Sequence, residues 1–153
     1  NWVKENYYTI DSTYGMNFII VKPEVQIIGL GEASHGQGSF FKHKINSFKW
    51  LVENEGYTIF ALEAGFSESL KINQYVLYGE GSAKESLINL NYGVLQIEEF
   101  VELIEWMRAY NMNKSPEKHI MFYGFDCQMS KGSVDYLKSG SHIIEHNFSL
   151  EEL

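Results

Sequence analysis

Three short stretches share one design, and that design constrains the fold more than any other feature of the chain. "VQIIGLGE" (25–32), "YTIFALEAG" (57–65) and "HIMFYGFD" (119–126) are rich in β-branched and aromatic residues and apolar almost throughout. Each reaches an acid near its C-terminal end: Glu32, Glu63 or Asp126. A strand with one wet face alternates apolar and polar residues, whereas a near-continuous apolar run suits a strand buried on both faces, as in a parallel sheet.

The segments between them read as helices. From 38 to 55 the residues Phe41, Ile45, Phe48, Leu51 and Val52 recur at three-to-four spacing, and Gly56 supplies a stop. Strand, helix, strand is a βαβ unit; its right-handed crossover makes the strands parallel and brings their acidic ends to one edge of the sheet. Further helices are expected over 67–78 and 97–110, the latter with Phe100, Leu103, Ile104 and Met107 on one face, and a short helix plus loop within 82–95. The expected fold is α/β, a parallel β-sheet core flanked by helices in a three-layer α/β/α arrangement. Residues 1–24 read as a peripheral N-terminal segment and 25–153 as the N-terminal part of an incomplete domain. The chain opens on Asn1, and its final "SLEEL" looks like a helix cut off at its start.

Composition narrows the function. A length of 153 residues suits one domain with its own core. A net charge of -8 with no cluster of Lys and Arg argues against a surface that tracks nucleic-acid phosphates. The single cysteine, Cys127, excludes a disulfide framework or a Cys-rich zinc site within the chain. No apolar run approaches the roughly 20 residues that span a bilayer. The compartment stays open between cytoplasm and export after loss of a signal peptide.

In open α/β sheets ligands bind beyond the carboxyl ends of the strands. Glu32, Glu63 and Asp126 are expected there, with His35 in the loop after the first. A histidine near its neutral point can take a proton from water when a carboxylate holds its other ring nitrogen. A second carboxylate can stabilise the imidazolium that forms, and Gly31 and Gly36 would let main-chain N–H groups approach a substrate oxygen. An acid at a strand end can also be a mere helix N-cap, but three such acids with one histidine weigh towards function. Two other readings stand beside water activation by an organic base. Glu32, His35 and Glu63 could hold a divalent metal ion that activates the water, or the protein could bind without catalysing.

The remaining candidates read as structural. Cys127 suits a small buried residue, His43 a solvated helix face, and His119 the end of a strand away from the site. His142 and His146, with Glu145 between them, have metal-binding spacing but no third ligand. The aromatic residues Tyr7, Tyr8, Phe18, Tyr57, Phe60 and Phe66 read as core rather than as a stacking platform.

"GLGEASHG" (29–36), "FALEAGF" (60–66), "EEFVELIEWMRAYN" (98–111) and "FYGFDCQ" (122–128), in this order and spacing, resemble the erythromycin esterase family, whose members are also known as succinoglycan biosynthesis proteins. The resemblance implies a hydrolase of the macrolide-lactone-cleaving type built on a parallel sheet, working without metal or organic cofactor on a small ester, lactone or acyl-sugar substrate. Its general base falls on His35 and its supporting glutamates on Glu32 and Glu63. Lys44, Arg108 and Asp126 would bind substrate or support the catalytic groups from behind. Two departures stand out. Ser39 and Lys44 occupy places where the family commonly has an acid and an arginine, and "NYGVLQI" replaces an aromatic-rich segment. Lysine keeps the charge but lacks the planar fork of arginine. Family members run to several hundred residues with further active-site histidines beyond this stretch, so the chain alone is expected to be inactive.

Overall fold

The computed structural model describes residues 22–35, 37–90, 93–126 and 130–139. Nearly all of the N-terminal segment, and Gly36, Cys127, His142 and His146, lie outside the described residues.

The first helix, α1 (Gly38–Glu55), buries Phe41, Ile45, Phe48, Leu51 and Val52, the stripe read from the sequence. It ends where Gly56 takes a left-handed φ of 75°, which lets the Gly56 and Tyr57 N–H groups close back on the Leu51 carbonyl. Strand β1 (Ile59–Gly65) follows, then helices α2 (Phe66–Tyr78), α3 (Ala83–Ile88) and α4 (Glu98–Met112), strand β2 (Met121–Asp126) and helix α5 (Ser130–Ser139). Helix α3 starts on a side-chain cap, with Ser82 Oγ accepting from the Glu85 N–H at 3.2 Å.

The two strands pair in parallel, with Phe60 opposite Phe122 and Gly65 opposite Asp126. Glu63 and Asp126 therefore do come to the same edge. One sheet face carries the core: the Phe60 ring lies 5.0 Å from Phe48, 5.5 Å from Phe122 and 6.4 Å from Phe100, so aromatics of α1, α4 and both strands form one cluster. On the opposite face Ile59 is 50% and Phe125 68% exposed. Among the described residues the fold is mixed α/β with a two-stranded parallel sheet, and the second helical layer expected of a three-layer fold is absent.

The outer edge of β2 is closed by side chains. Its inward N–H groups pair with β1, and three outward ones meet polar atoms on the otherwise apolar buried faces of α2 and α4. Asn111 Oδ1 accepts from Ile120 N–H at 2.8 Å, Asn73 Oδ1 from Phe122 N–H at 3.1 Å and Ser69 Oγ from Gly124 N–H at 2.7 Å. Asn111 also donates to the Ile120 carbonyl at 2.9 Å and to the Val76 carbonyl at 3.2 Å. Ser69 and Asn73 are one helical turn apart, matching two alternate residues of the strand. The outward N–H groups of an edge that would otherwise recruit another strand are thus satisfied internally.

The expected strand over 25–32 does not form. The segment carries no ladder hydrogen bonds and Ile27 is 88% exposed. Its described anchors include Val25 N–H to the Lys22 carbonyl at 2.9 Å, the Tyr57 hydroxyl to the Val25 carbonyl at 2.7 Å and Lys44 of α1 to Glu32. A strand apolar on both faces needs a layer on each side, and the described residues offer β1 helices on one side only.

Candidate active site

Helix α1 precedes β1 and α4 precedes β2, while α2 and α5 follow the two strands. In a parallel βαβ arrangement the N-termini of all four then lie at the carboxyl edge of the sheet, where the positive ends of helix dipoles favour anionic groups. Glu63 and Asp126 close the strands there, and Glu68 and Glu99 sit in the first turns of α2 and α4.

A short polar chain joins the loop after residue 31 to α1. His35 Nδ1 lies 2.5 Å from Glu32 Oε1, and Lys44 Nζ lies 2.5 Å from Glu32 Oε2. Both oxygens of one carboxylate are engaged, one from each side. Glu32 keeps only 11% of its side-chain exposure and Lys44 16%, while His35 retains 75%. The carboxylate is therefore a sheltered pivot and the imidazole an open arm. The Lys44 hydrogen bond holds the Glu32 carboxyl below the usual carboxylate range; burial opposes this and His35 adds to it. An ionised carboxylate only accepts hydrogen bonds. Nδ1 of His35 is thereby the donor, and in the neutral ring the lone pair is on Nε2, on a side chain that is largely exposed.

The other candidates are placed separately. Glu63 stands exposed on β1 and makes no hydrogen bond or ion pair to a described residue. Asp126 is half-buried at the end of β2. Arg108 donates from Nη1 to the Leu77 carbonyl at 2.9 Å and packs over Gly79, at the C-terminal end of α2. With 13 residues in α2, that is roughly 20 Å of helix from the carboxyl edge. His119 Nε2 lies 3.1 Å from the Lys114 carbonyl, before β2 begins.

Among the described residues no three His, Cys, Asp or Glu side chains gather closely enough to hold a metal ion. The backbone at Gly31 needs no glycine: its φ is not left-handed and a Cβ there would meet open space. One shallow groove lies beside Val25, Tyr57 and Ile59 and another between α2 and α3 near Lys71 and Glu85.

Two features escaped the sequence reading. The Glu99 carboxylate lies directly against Gly38, in the space a side chain at the start of α1 would take. Ser67 Oγ donates to Glu68 Oε2 at 2.8 Å and lies 3.2 Å from Ser133 Oγ, tying α2 to α5. The available signal was acids in the first helical turn, which dipole reasoning expects without saying what they touch.

A family model described as Erythromycin esterase matches residues 52–142, which include Glu63, Arg108 and Asp126. Erythromycin esterase type II of Escherichia coli is 29% identical over 168 residues, covering 97% of this chain and 39% of that protein. YbfO of Bacillus subtilis (strain 168), named as a hydrolase, is 28% identical over 140 residues, covering 88% of this chain and 30% of that protein. A crystal structure of a succinoglycan biosynthesis protein superposes with a TM-score of 0.64 at 34% identity, covering 78% of this chain and 31% of that one. A Bacillus cereus protein superposes at 0.61 with 30% identity, covering 74% and 28%. The chain thus spans well under half the length of these relatives.

Proposed function

The chain belongs to the erythromycin esterase family, and from that premise we propose that His35 activates water for attack on an ester or lactone carbonyl. The observation that carries this is the hydrogen bond between His35 Nδ1 and the ionised Glu32, which leaves Nε2 free to accept a proton. Nε2 takes the proton as the water oxygen bonds to the carbonyl carbon. The tetrahedral oxyanion collapses, the proton passes to the departing alkoxide, and an acid and an alcohol leave. Glu63, at the same edge, stabilises the transient imidazolium. Asp126 supports the end of β2 beside it, Lys44 supports Glu32, and Arg108 secures the helix behind.

Substrates of this reading are small esters, lactones or acyl sugars. Residues 25–153 form the N-terminal part of an α/β domain, with 1–24 at its periphery. The chain covers well under half the length of its relatives, and on this reading it is not a catalytic unit by itself.

The test is hydrolysis by the intact protein across a panel of macrocyclic lactones, simple esters and acyl sugars, before and after treatment with a chelator. The expected result is turnover that survives chelation. Loss of activity on chelation with recovery on adding a divalent ion would transfer the role to a metal, and binding without turnover would make the protein a non-catalytic relative.

A further inference from the structure

The Lys44 ammonium is committed to partners inside the protein. It lies 2.5 Å from Glu32 Oε2 and 5.1 Å from the centroid of the Phe41 ring, on a largely buried side chain. An ammonium held between a carboxylate and an aromatic face, on a side chain only 16% exposed, has its strong contacts within the protein rather than with a substrate oxygen. We infer that Lys44 is a positioning residue that acts through Glu32 on His35 rather than on substrate. This rests on the reading of His35 as the base.

Two physical effects follow from the arrangement. The first is geometric: with one oxygen held from α1 and the other from the loop, the Glu32 carboxylate cannot rotate, and the imidazole it holds keeps one orientation. The second is electrostatic. Glu32 and Lys44 together carry no net charge, so His35 leans on a hydrogen-bond acceptor without facing an uncompensated anion. Without Lys44 the bare carboxylate would favour the imidazolium, a form unable to take a proton from water. When the base becomes charged during turnover, the three groups together carry one positive charge, the sign that an adjacent oxyanion requires.

Other charged groups approach this chain without entering it. Glu99 of α4 lies against Gly38 at the start of α1. Glu63 stands on β1, Asp126 on β2, and His43 precedes Lys44 on α1. None has a hydrogen bond or ion pair to Lys44 or His35 among the described residues. Glu32 is the contact through which loss of Lys44 is felt.

The experiment is a titration of the His35 ring by ¹⁵N NMR in the intact protein and in its K44M, K44R and E32Q variants. K44M is expected to move the His35 protonation midpoint upward, K44R to restore it, and K44M placed on E32Q to have no effect. The exposure of His35 keeps the shift modest. Where an ester is turned over, K44M should lose on the order of 3- to 10-fold more kcat/KM on the acid side of the profile than on the alkaline side, with KM unchanged. Should K44M lose its helical circular dichroism, K44Q supplies the same comparison. Identical titrations of His35 with and without Lys44 would overturn the inference, as would a raised KM with no change in titration, which would mark Lys44 as a substrate anchor. The NMR arm needs no turnover. A protein that hydrolyses no ester therefore removes the base from His35 and leaves the Lys44–Glu32–His35 coupling separately decided.

Discussion

Asn111 hydrogen-bonds both backbone groups of Ile120, accepting from its N–H at 2.8 Å and donating to its carbonyl at 2.9 Å. One side chain thus performs the work of a neighbouring strand residue at the closed edge of β2. Replacing it with leucine keeps the volume but strands the Ile120 N–H in a fully buried place. Asn111→Leu is expected to destabilise by about 2–3 kcal/mol, the cost of burying polar groups without partners. Urea denaturation measures this; a change below about 0.5 kcal/mol would mean the edge reaches water or another partner.

Gly124 leaves no room for a side chain: a Cβ there would sit 2.4 Å from the Ala64 carbonyl oxygen and 2.5 Å from that of Gly65. Both are backbone atoms in the paired strand, so relief requires the strands to separate just where Glu63 and Asp126 emerge. Gly124→Ala should destabilise at the upper end of about 1–3 kcal/mol and lower activity along with stability. Thermal melting read beside hydrolysis tests both parts.

Arg108 is expected to matter for folding and not for chemistry. Its bond to the Leu77 carbonyl secures the end of α2 away from the carboxyl edge. Arg108→Ala should cost about 1–2 kcal/mol of stability, as expected for a lost hydrogen bond from a charged donor, with kcat/KM of the folded fraction unchanged. A selective fall in kcat/KM would restore Arg108 to the substrate side.

Much of this was legible in the sequence. Helix α1 could be read almost to the residue, because a five-member apolar stripe and a glycine stop both depend on local geometry. The same holds for α4 and its Phe100, Leu103, Ile104 and Met107. Ser69, Asn73 and Asn111 were not legible, since a polar residue on an apolar face signals a partner without naming it. The run at 25–32 shows the opposite limit. Apolar character states that burial is wanted, and only the surrounding layers decide whether it happens. Of the candidate site, proximity in sequence revealed the Glu32–His35 pair. Lys44 was singled out as a departure from the family, and its bond to Glu32 emerged only once α1 had been folded against the loop.

The Glu32–Lys44 pair should leave a signature in stability against pH. The folded-state pKa of Glu32 is depressed, chiefly by the Lys44 hydrogen bond. Its contribution is therefore present above the ordinary carboxylate pKa and disappears as pH falls through the depressed folded value. The stability difference between wild type and K44M is expected to be larger at neutral pH than in acid below the depressed folded pKa, where the carboxylate has taken up its proton. Chemical denaturation at both pH values measures it, and a difference independent of pH would show that Lys44 contributes by packing alone.

The most direct measurement is kcat/KM of the intact protein and of His35→Ala on an ester or lactone that the wild type hydrolyses, with circular dichroism confirming the fold. Loss of a general base predicts a fall of roughly 10²- to 10⁴-fold with the spectrum unchanged. A folded variant that retains activity within a few-fold of wild type would contradict the account, because the proton of the attacking water would then be leaving by another route.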